Sequence, residues 1–531
     1  MKRFILALLI ILLCQNIMAQ WMITNDTIWT ADTVKIYQDV IVAQNVMLTI
    51  EPGAYIEFQD NFSIKVFGRL RAIGTPADSI VFTVKDTTMF ADTATLQGGW
   101  GSIKLLENGG DTSHFAYCRF SYGKAVDPGH WALSMANQNN KGGAVYANGH
   151  GAILIEESTF INNMANYEGG GLYVQNGQFF MLKSNKFMHN KVLFAGGGTS
   201  VRDIVETYIV NNLFVYNIAF RVMVNNYIFG DGGGLFYGSM QETNNANIAN
   251  NRFYFNKSVT GALYESSQNS LIYNNIIANN MGSGASVGGW STSTTRLINN
   301  TIVNNLAWSY MGCGYTYWSI HIRMRNNIVY GNESVNPSIP IQMYNPWNQL
   351  PVSSTYSCNP DDYPGEGNIT DNPLFAYPTI GAGPSFNAML ADWSLQDISP
   401  AVNSGTPDTT GLSIPHYDLH GNPRIFGGRI DMGAYENQNV WVSLPENPLV
   451  NARMVAAPNP FRDAFTVELF GPEKVKRITV YNQTGTPVRQ METLWHEGLV
   501  SIDMSGFSSG LYVLAVEYEN GTVKTEKMVK M

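Results

Sequence analysis

Between residues 142 and 332 the apolar and polar positions recur in one six-residue phrase. It opens on Asn or Ser, carries apolar residues at its centre and closes on Asn. It reads SerThrPheIleAsnAsn at 158–163, AsnLysPheMetHisAsn at 185–190 and AsnLeuPheValTyrAsn at 212–217. It returns at 251–256, 275–280, 300–305 and 327–332. The closing asparagines, Asn163, Asn190, Asn217, Asn256, Asn280, Asn305 and Asn332, lie 27, 27, 39, 24, 25 and 27 residues apart. Such a period belongs to a solenoid, whose units cannot bury their apolar face alone. The apolar runs are of strand length and too short for the paired helices of a helical repeat. Two glycines followed by apolar residues precede the Asn phrase at 142–146, 170–174 and 233–237. Each unit therefore holds several short strands separated by tight corners. Gly and Asn suit corners because they accept left-handed backbone angles, and stacked Asn side chains can bond to one another. The pattern predicts an all-β chain built on a parallel β-helix solenoid, right-handed as parallel crossovers almost always are.

The same reading extends toward the N-terminus. Alternating apolar strands at 46–58, 64–75, 79–83 and 98–105 are joined by Pro-Gly, Gly and Gly-Thr corners. Segment 117–120 begins the next coil, and 124–141 reads as a protruding loop. The 39-residue step predicts a loop insertion around 225–231 and 241–247, added at a corner without breaking the stack. Beyond Asn332 the rhythm loosens, and 333–366 reads as an excursion rich in Pro, Tyr and Asn. Residues 437–451 form a linker. The last 80 residues change character: seven or so short strands at even spacing predict a small C-terminal antiparallel β-sandwich over 452–531.

Composition narrows the class. Only 14 % of residues are charged, and Gly numbers 50 among 531, which excludes a coiled coil or a disordered chain. Residues 1–19 read as a signal peptide, with Lys2 and Arg3 before the apolar run Phe4 to Leu13 and Ala19 before the cut. Cys14 raises a lipoprotein alternative, although Leu13 is larger than the residue such processing needs. Loss of Lys2 and Arg3 with the leader takes the net charge from −9 to −11. Residues 452–531 carry nine basic and nine acidic side chains, so the excess, apart from Glu446 in the linker, lies on the solenoid over 20–436. An acidic solenoid is a poor nucleic-acid binder, because phosphate contacts dominate that affinity. No transmembrane segment is expected, since no run approaches ~20 apolar residues. Cys118, Cys313 and Cys358 remain after cleavage; their spacing is not that of a metal site, and they read as free buried thiols.

Three stretches carry resemblances. The opening coils are similar to those of bacterial right-handed β-helix surface proteins. Segments 367–375, 393–405 and 418–436 resemble, in order and spacing, the end of β-helix proteins of the choice-of-anchor Q type. That resemblance implies an anchoring context and no catalytic residue. Asp418, Arg424 and Asp431 there are expected to form a polar network closing the last coil. Residues 452–531 resemble the type A C-terminal sorting domain of the type IX secretion system of Bacteroidetes. The matching residues are Pro458, Asn459, Pro460, Phe461, Gly485, Gly510, Leu511 and Tyr512, with the basic end that includes Lys527 and Lys530. The resemblance implies the type IX machinery as partner and the extracellular space or outer-membrane surface as destination.

Chemistry is harder to find. Polygalacturonase-like β-helices carry paired Asp before Gly-His-Gly; here Gly149-His150-Gly151 and Asp361-Asp362 stand in reversed order, and a chance tripeptide in a Gly-rich corner explains His150. A lyase would need a Ca²⁺ cluster of carboxylates with a basic residue. Glu156, Glu157, Glu168, Asp203, Glu206, Asp231, Glu242 and Glu265 do not recur at coil spacing, so a Ca²⁺ site, or any other cofactor site, lacks support. Arg296, Arg323 and Arg325 lie on adjacent coils, where lone arginines read as a solvated face. Trp290, Trp308, Tyr315, Tyr317 and Trp318 concentrate within a few coils and form the candidate ligand-binding set, since aromatic faces stack on sugar rings. The alternative is that they fill the core. The sequence thus points to non-catalytic adhesion or glycan binding, with a polysaccharide lyase or hydrolase acting on an acidic glycan as the alternative.

Overall fold

A computed structural model describes residues 20–30, 32–107, 110–128, 137–220, 222–224, 227–287, 295–307, 314–317, 322–336, 342–344, 353–412, 414, 416–439, 453–470, 474–495, 498–519, 521 and 523–531. The chain divides into two compact units, the first ending at Asn439. Among the described residues the first unit is a parallel β-helix of three long sheets, with 12, 12 and 11 strands. A typical coil runs Val145–Asn148 in the first sheet, Ala152–Glu156 in the second and Thr159–Ile161 in the third. A two-residue strand at Met164–Ala165 follows before the chain returns to the first sheet.

Alternation sets the core. In the third sheet Phe82, Phe120, Phe160, Phe187, Phe214 and Phe253 share one inward register. Their rings stack at centroid distances of 4.9, 4.6, 4.6, 5.1 and 4.8 Å. Neighbouring strands lie about 4.8 Å apart, so one ring per coil stacks without displacing the backbone.

The asparagines form two ladders rather than one. The closing ladder runs Asn163–Asn190–Asn217–Asn256–Asn280–Asn305–Asn332 through side-chain amide bonds of 2.9–3.1 Å. The residues that open each phrase make a parallel ladder, Asn185–Asn212–Asn251–Asn275–Asn300–Asn327. Left-handed backbone angles fall on the residue before each ladder position, not on the ladder asparagine: His189, Tyr216 and Phe255 have φ of 55°, 55° and 57°. The ladder asparagines are thus selected for their amides, because each oxygen after the first in a ladder accepts the main-chain N–H and the side-chain amide of the preceding coil. Glycine is required at Gly142, Gly169, Gly196 and Gly232, which have φ of 63°, 68°, 72° and 62°. A Cβ there would also meet a carbonyl oxygen at 2.2–2.4 Å.

The insertion in the 39-residue step contains an antiparallel hairpin, Val222–Val224 with Tyr227–Phe229, whereas Asn245–Ala249 belongs to the second sheet. The expected excursion after Asn332 also contains ladder strands: Met343–Tyr344 and Ser353–Thr355 close the first and second sheets. Segment 124–141 holds the strand Lys124–Ala125 and a short 3₁₀ turn at Gln138–Asn140.

The terminal section of this unit lies on the outer face of the third sheet rather than closing the last coil. Phe375, Trp393, Leu395 and Met432 share a core with Val215, Tyr254, Ile276, Val303 and Ile328. Corner amides bind it: Asn279 donates to Gly381 O and Gly383 O, and Asn299 to Asp431 O and Gly433 O.

The second unit packs a three-stranded and a four-stranded antiparallel sheet over one core that includes Phe461, Phe465, Val467, Ile478, Val480, Leu514, Val516 and Met528.

Candidate functional site

Outward positions of the second sheet are where polar and aromatic side chains meet an open surface. Strand pairing places His114, Leu154, Met181, Tyr208, Asn247, Leu271, Arg296 and Arg323 in one outward register on successive coils. Around the middle of this row lies a cavity of about 410 Å³, lined by Glu206, Tyr208, Asn245, Asn247, Asn269 and Arg296 among others. Tyr208 Oη donates to Glu206 Oε1 at 2.6 Å, which fixes the ring upright and raises its pKa, chiefly through that bond. The Tyr208 ring lies 5.9 Å from that of Phe179, one coil earlier. Asn269 Nδ2 donates to Asn245 Oδ1 at 2.5 Å, tying the corner of one coil to the next. Hydroxyl, carboxylate, amide and guanidinium groups thus converge beside an aromatic ring, the composition of a site that orients a polar ligand.

Of the residues singled out in the sequence, only some are described. Trp290, Trp308 and Trp318 lie outside the described residues. Tyr315 and Tyr317 belong to a strand of the first sheet, in register with Ala285 and Val287, which are core residues. His150 is buried, with Nδ1 2.9 Å from Leu106 O and Nε2 2.9 Å from Ser113 Oγ. Burial lowers its pKa, and it serves the corner.

One reading of the carboxylates is corrected. Lys141, Glu168, Ala195 and Asp231 occupy one register on four successive coils, so Glu168 and Asp231 do recur, two coils apart. The hairpin within the 39-residue step hides the spacing. Glu168 is buried and bonded to Arg202 Nε at 2.6 Å and to Ser200 Oγ at 2.9 Å. Arg202 also lies over the Phe236 ring, and Lys141 over the rings of Tyr167 and Tyr173. These groups hold the arms between the third and first sheets against the stack.

The terminal network also differs from expectation. Arg424 is buried and its ion-pair partner is Glu436, at 3.7 Å, a residue the sequence reading did not single out. Asp418 and Asp431 bond main-chain N–H groups instead: Asp418 takes those of His420, Asn422 and Glu436, and Asp431 those of Asn403 and Asn437.

In the second unit the motif residues are placed by specific bonds. Asn459 Nδ2 donates to Lys527 O at 2.6 Å, and its Oδ1 accepts Val529 N at 2.9 Å. Phe461 is buried and pairs with Lys530 in a parallel bridge. The Pro458-Asn459-Pro460-Phe461 segment is therefore clamped to the final strand, with cis peptide bonds before both prolines. Lys527 is exposed, while Lys530 is largely buried. Gly485 turns with φ 75° beside Asn482, whose Oδ1 accepts Thr484 N and Thr486 N. Tyr512 Oη donates to Ser508 O at 2.6 Å. The Gly485 turn and the Gly510–Tyr512 strand start border one cleft of about 400 Å³.

Two family models match the chain. Residues 136–333 match the right-handed β-helix region, and residues 456–531 match the secretion system C-terminal sorting domain. No curated protein matches. Among solved structures the chain is similar to the tailspike protein gp49 of Acinetobacter baumannii bacteriophage Fri1, a capsular polysaccharide depolymerase. The two are 8 % identical over 94 % of this chain and 73 % of that one, with a TM-score of 0.21, too low to bear on function. The chain is thus a right-handed parallel β-helix protein with a type IX secretion sorting tail, a tail that implies export to the cell surface or beyond.

Proposed function

We propose that the β-helix is a non-catalytic glycan-binding passenger and that the outer face of its second sheet is the binding surface. The observation that carries this reading is the convergence of Glu206, Tyr208, Asn247 and Arg296, drawn from a span of four coils, on one cavity of about 410 Å³. Tyrosine rings take the apolar face of a sugar, while amides, carboxylates and guanidinium groups take its hydroxyls. Because the same register returns about every 4.8 Å, a sugar chain lying along the stack meets a row of groups. Arg296 and, on the next coil, Arg323 and Arg325 favour an acidic glycan, since guanidinium pairs with carboxylate through two parallel bonds.

Two experiments test the reading. Full-length protein is expected to bind immobilised acidic polysaccharides more tightly than neutral ones. Arg296→Ala and Tyr208→Ala should each weaken that binding roughly tenfold, the cost of one well-placed contact of about 1.4 kcal/mol. Unchanged affinity in both variants refutes the surface, and unsaturated or shortened products refute the non-catalytic reading in favour of a lyase or hydrolase. For export, deletion of residues 452–531 is expected to trap the protein in the periplasm and to lower surface display at least tenfold. Normal display of the truncated chain refutes the role of the tail.

A further inference from the structure

The outer face of the first sheet carries a second cavity. Lys65 and Lys104 share one outward register on adjacent coils. They line a cavity of about 330 Å³ together with Asp39, Asp127, Asn139 and the apolar side chains of Leu96 and Val126. The two other lysines there have partners. Lys65 Nζ bonds Asp39 Oδ2 at 2.8 Å, and Lys124 Nζ donates to the carbonyls of Met89, Asp92 and Gln97 at 2.7–2.9 Å.

Lys104 is different. Its residue is only 5 % exposed, and among the described residues its one hydrogen-bond partner is Asn139 Oδ1, at 2.5 Å. An ammonium has three donors, and a buried one is ordinarily paired with a carboxylate. Burial, with Lys65 alongside, pushes its pKa down to about 8. The fold therefore holds a cation against an open cavity and, among the described residues, gives it no carboxylate in salt-bridge contact.

We propose that this cavity is a subsite for a uronic acid unit, with the sugar carboxylate seated on Lys104 and Lys65 and the sugar hydroxyls turned to Asp39 and Asp127. Three lysines against two aspartates leave the lining one positive charge in excess, which one carboxylate neutralises. Leu96 and Val126 supply an apolar wall for the ring, and the volume lies in the range of small-molecule sites. The inference rests on the glycan reading but uses a different sheet, so the two can fail separately.

The test is calorimetric titration of full-length protein with sodium glucuronate, methyl glucoside and sodium sulfate. Glucuronate is expected to bind, methyl glucoside and sulfate at least tenfold more weakly. Lys104→Met should lose glucuronate binding at least tenfold while melting no lower than the parent, because an apolar side chain suits that burial. Lys104→Gln, which keeps a donor, should recover part of the affinity without changing the melt. Arg119→Ala, which removes an exposed cation on the third sheet that lines neither cavity, should leave glucuronate binding unchanged. Glucuronate binding that is absent, that survives Lys104→Met, or that methyl glucoside or sulfate equals would overturn the subsite.

Discussion

Replacing Asn217 by alanine is expected to speed amide exchange across the coils at 185–190 and 212–217 by roughly three orders of magnitude, from a local loss of about 4 kcal/mol. Asn217 Oδ1 accepts Asn190 N at 3.1 Å and Asn190 Nδ2 at 2.9 Å. Its own amide donates to Phe187 O at 2.8 Å and to Asn256 Oδ1 at 3.0 Å. Alanine removes all four bonds, and it orphans the buried Asn190 N–H outright, which costs about 1–3 kcal/mol by itself. Each coil contacts chiefly its neighbours, so the loss should stay local and be read by peptide-resolved hydrogen exchange. Asn217→Asp sharpens the test. Its second oxygen would face two acceptors, Phe187 O and Asn256 Oδ1, so the acid must stay protonated to fit. Its folded pKa is then raised above the unfolded value, and its stability is present at low pH and lost as pH rises. The aspartate variant should therefore match the alanine variant near pH 7 and recover toward pH 4. Exchange unchanged in both variants would show the ladder to be a consequence of the coil rather than a support for it.

The ladder was legible in the sequence because its spacing, strand-length runs and Gly-Gly corners all agree. Its logic was less legible. Tyr216 and Phe255 take left-handed angles beside ladder asparagines, a conformation that bulky residues adopt only when neighbouring bonds over-determine it. Strand register beyond Asn332 was hidden because Met343–Tyr344 and Ser353–Thr355 lack the Asn phrase. The hairpin at 222–229 shifted the count between Glu168 and Asp231, so two carboxylates in one register appeared unrelated. The candidate surface on the second sheet was the least legible part. Alternation says that Tyr208, Asn247 and Arg296 point outward, yet not which outward face a later segment covers. Outward positions of the third sheet, such as Val215 and Ile276, are covered by the terminal section from residue 370 onward. Tyr208 and Arg296 keep part of their surface open.

Arg424→Met is the second large effect, and its signature is the pH at which it is felt. Arg424, Glu436 and Asp431 are buried together, and Asp418 adds a third carboxylate. Arg424 donates through Nη2 to Gly433 O and faces Glu436 through Nη1. Glu436 also accepts Phe426 N and Asp431 N, so its carboxylate ties the loop at Phe426 to the segment at Asp431. Burial raises the pKa of Asp431 to about 6 and that of Glu436 to about 8, and a neighbouring carboxylate adds to each rise, Asp418 for Asp431 and Asp431 for Glu436. A carboxyl group whose folded pKa lies above its unfolded value stabilises the fold at low pH and loses that contribution as pH rises through the folded value. Arg424 opposes this loss as the cation among three acids. Removing it should cost about 3–5 kcal/mol at pH 8, the usual penalty for a buried charge deprived of its partner. At pH 5, where Asp431 and Glu436 hold protons, the cost should fall well below that. The expected readout is proteolysis: at pH 8 the variant is cut within residues 370–436, as the section leaves Val215, Tyr254 and Ile276 on the third sheet. At pH 5 it should resist like the parent. Equal sensitivity at both pH values would mean that Arg424 acts through packing and its bond to Gly433 O alone, and that the carboxyl groups it faces carry no repulsion for it to relieve.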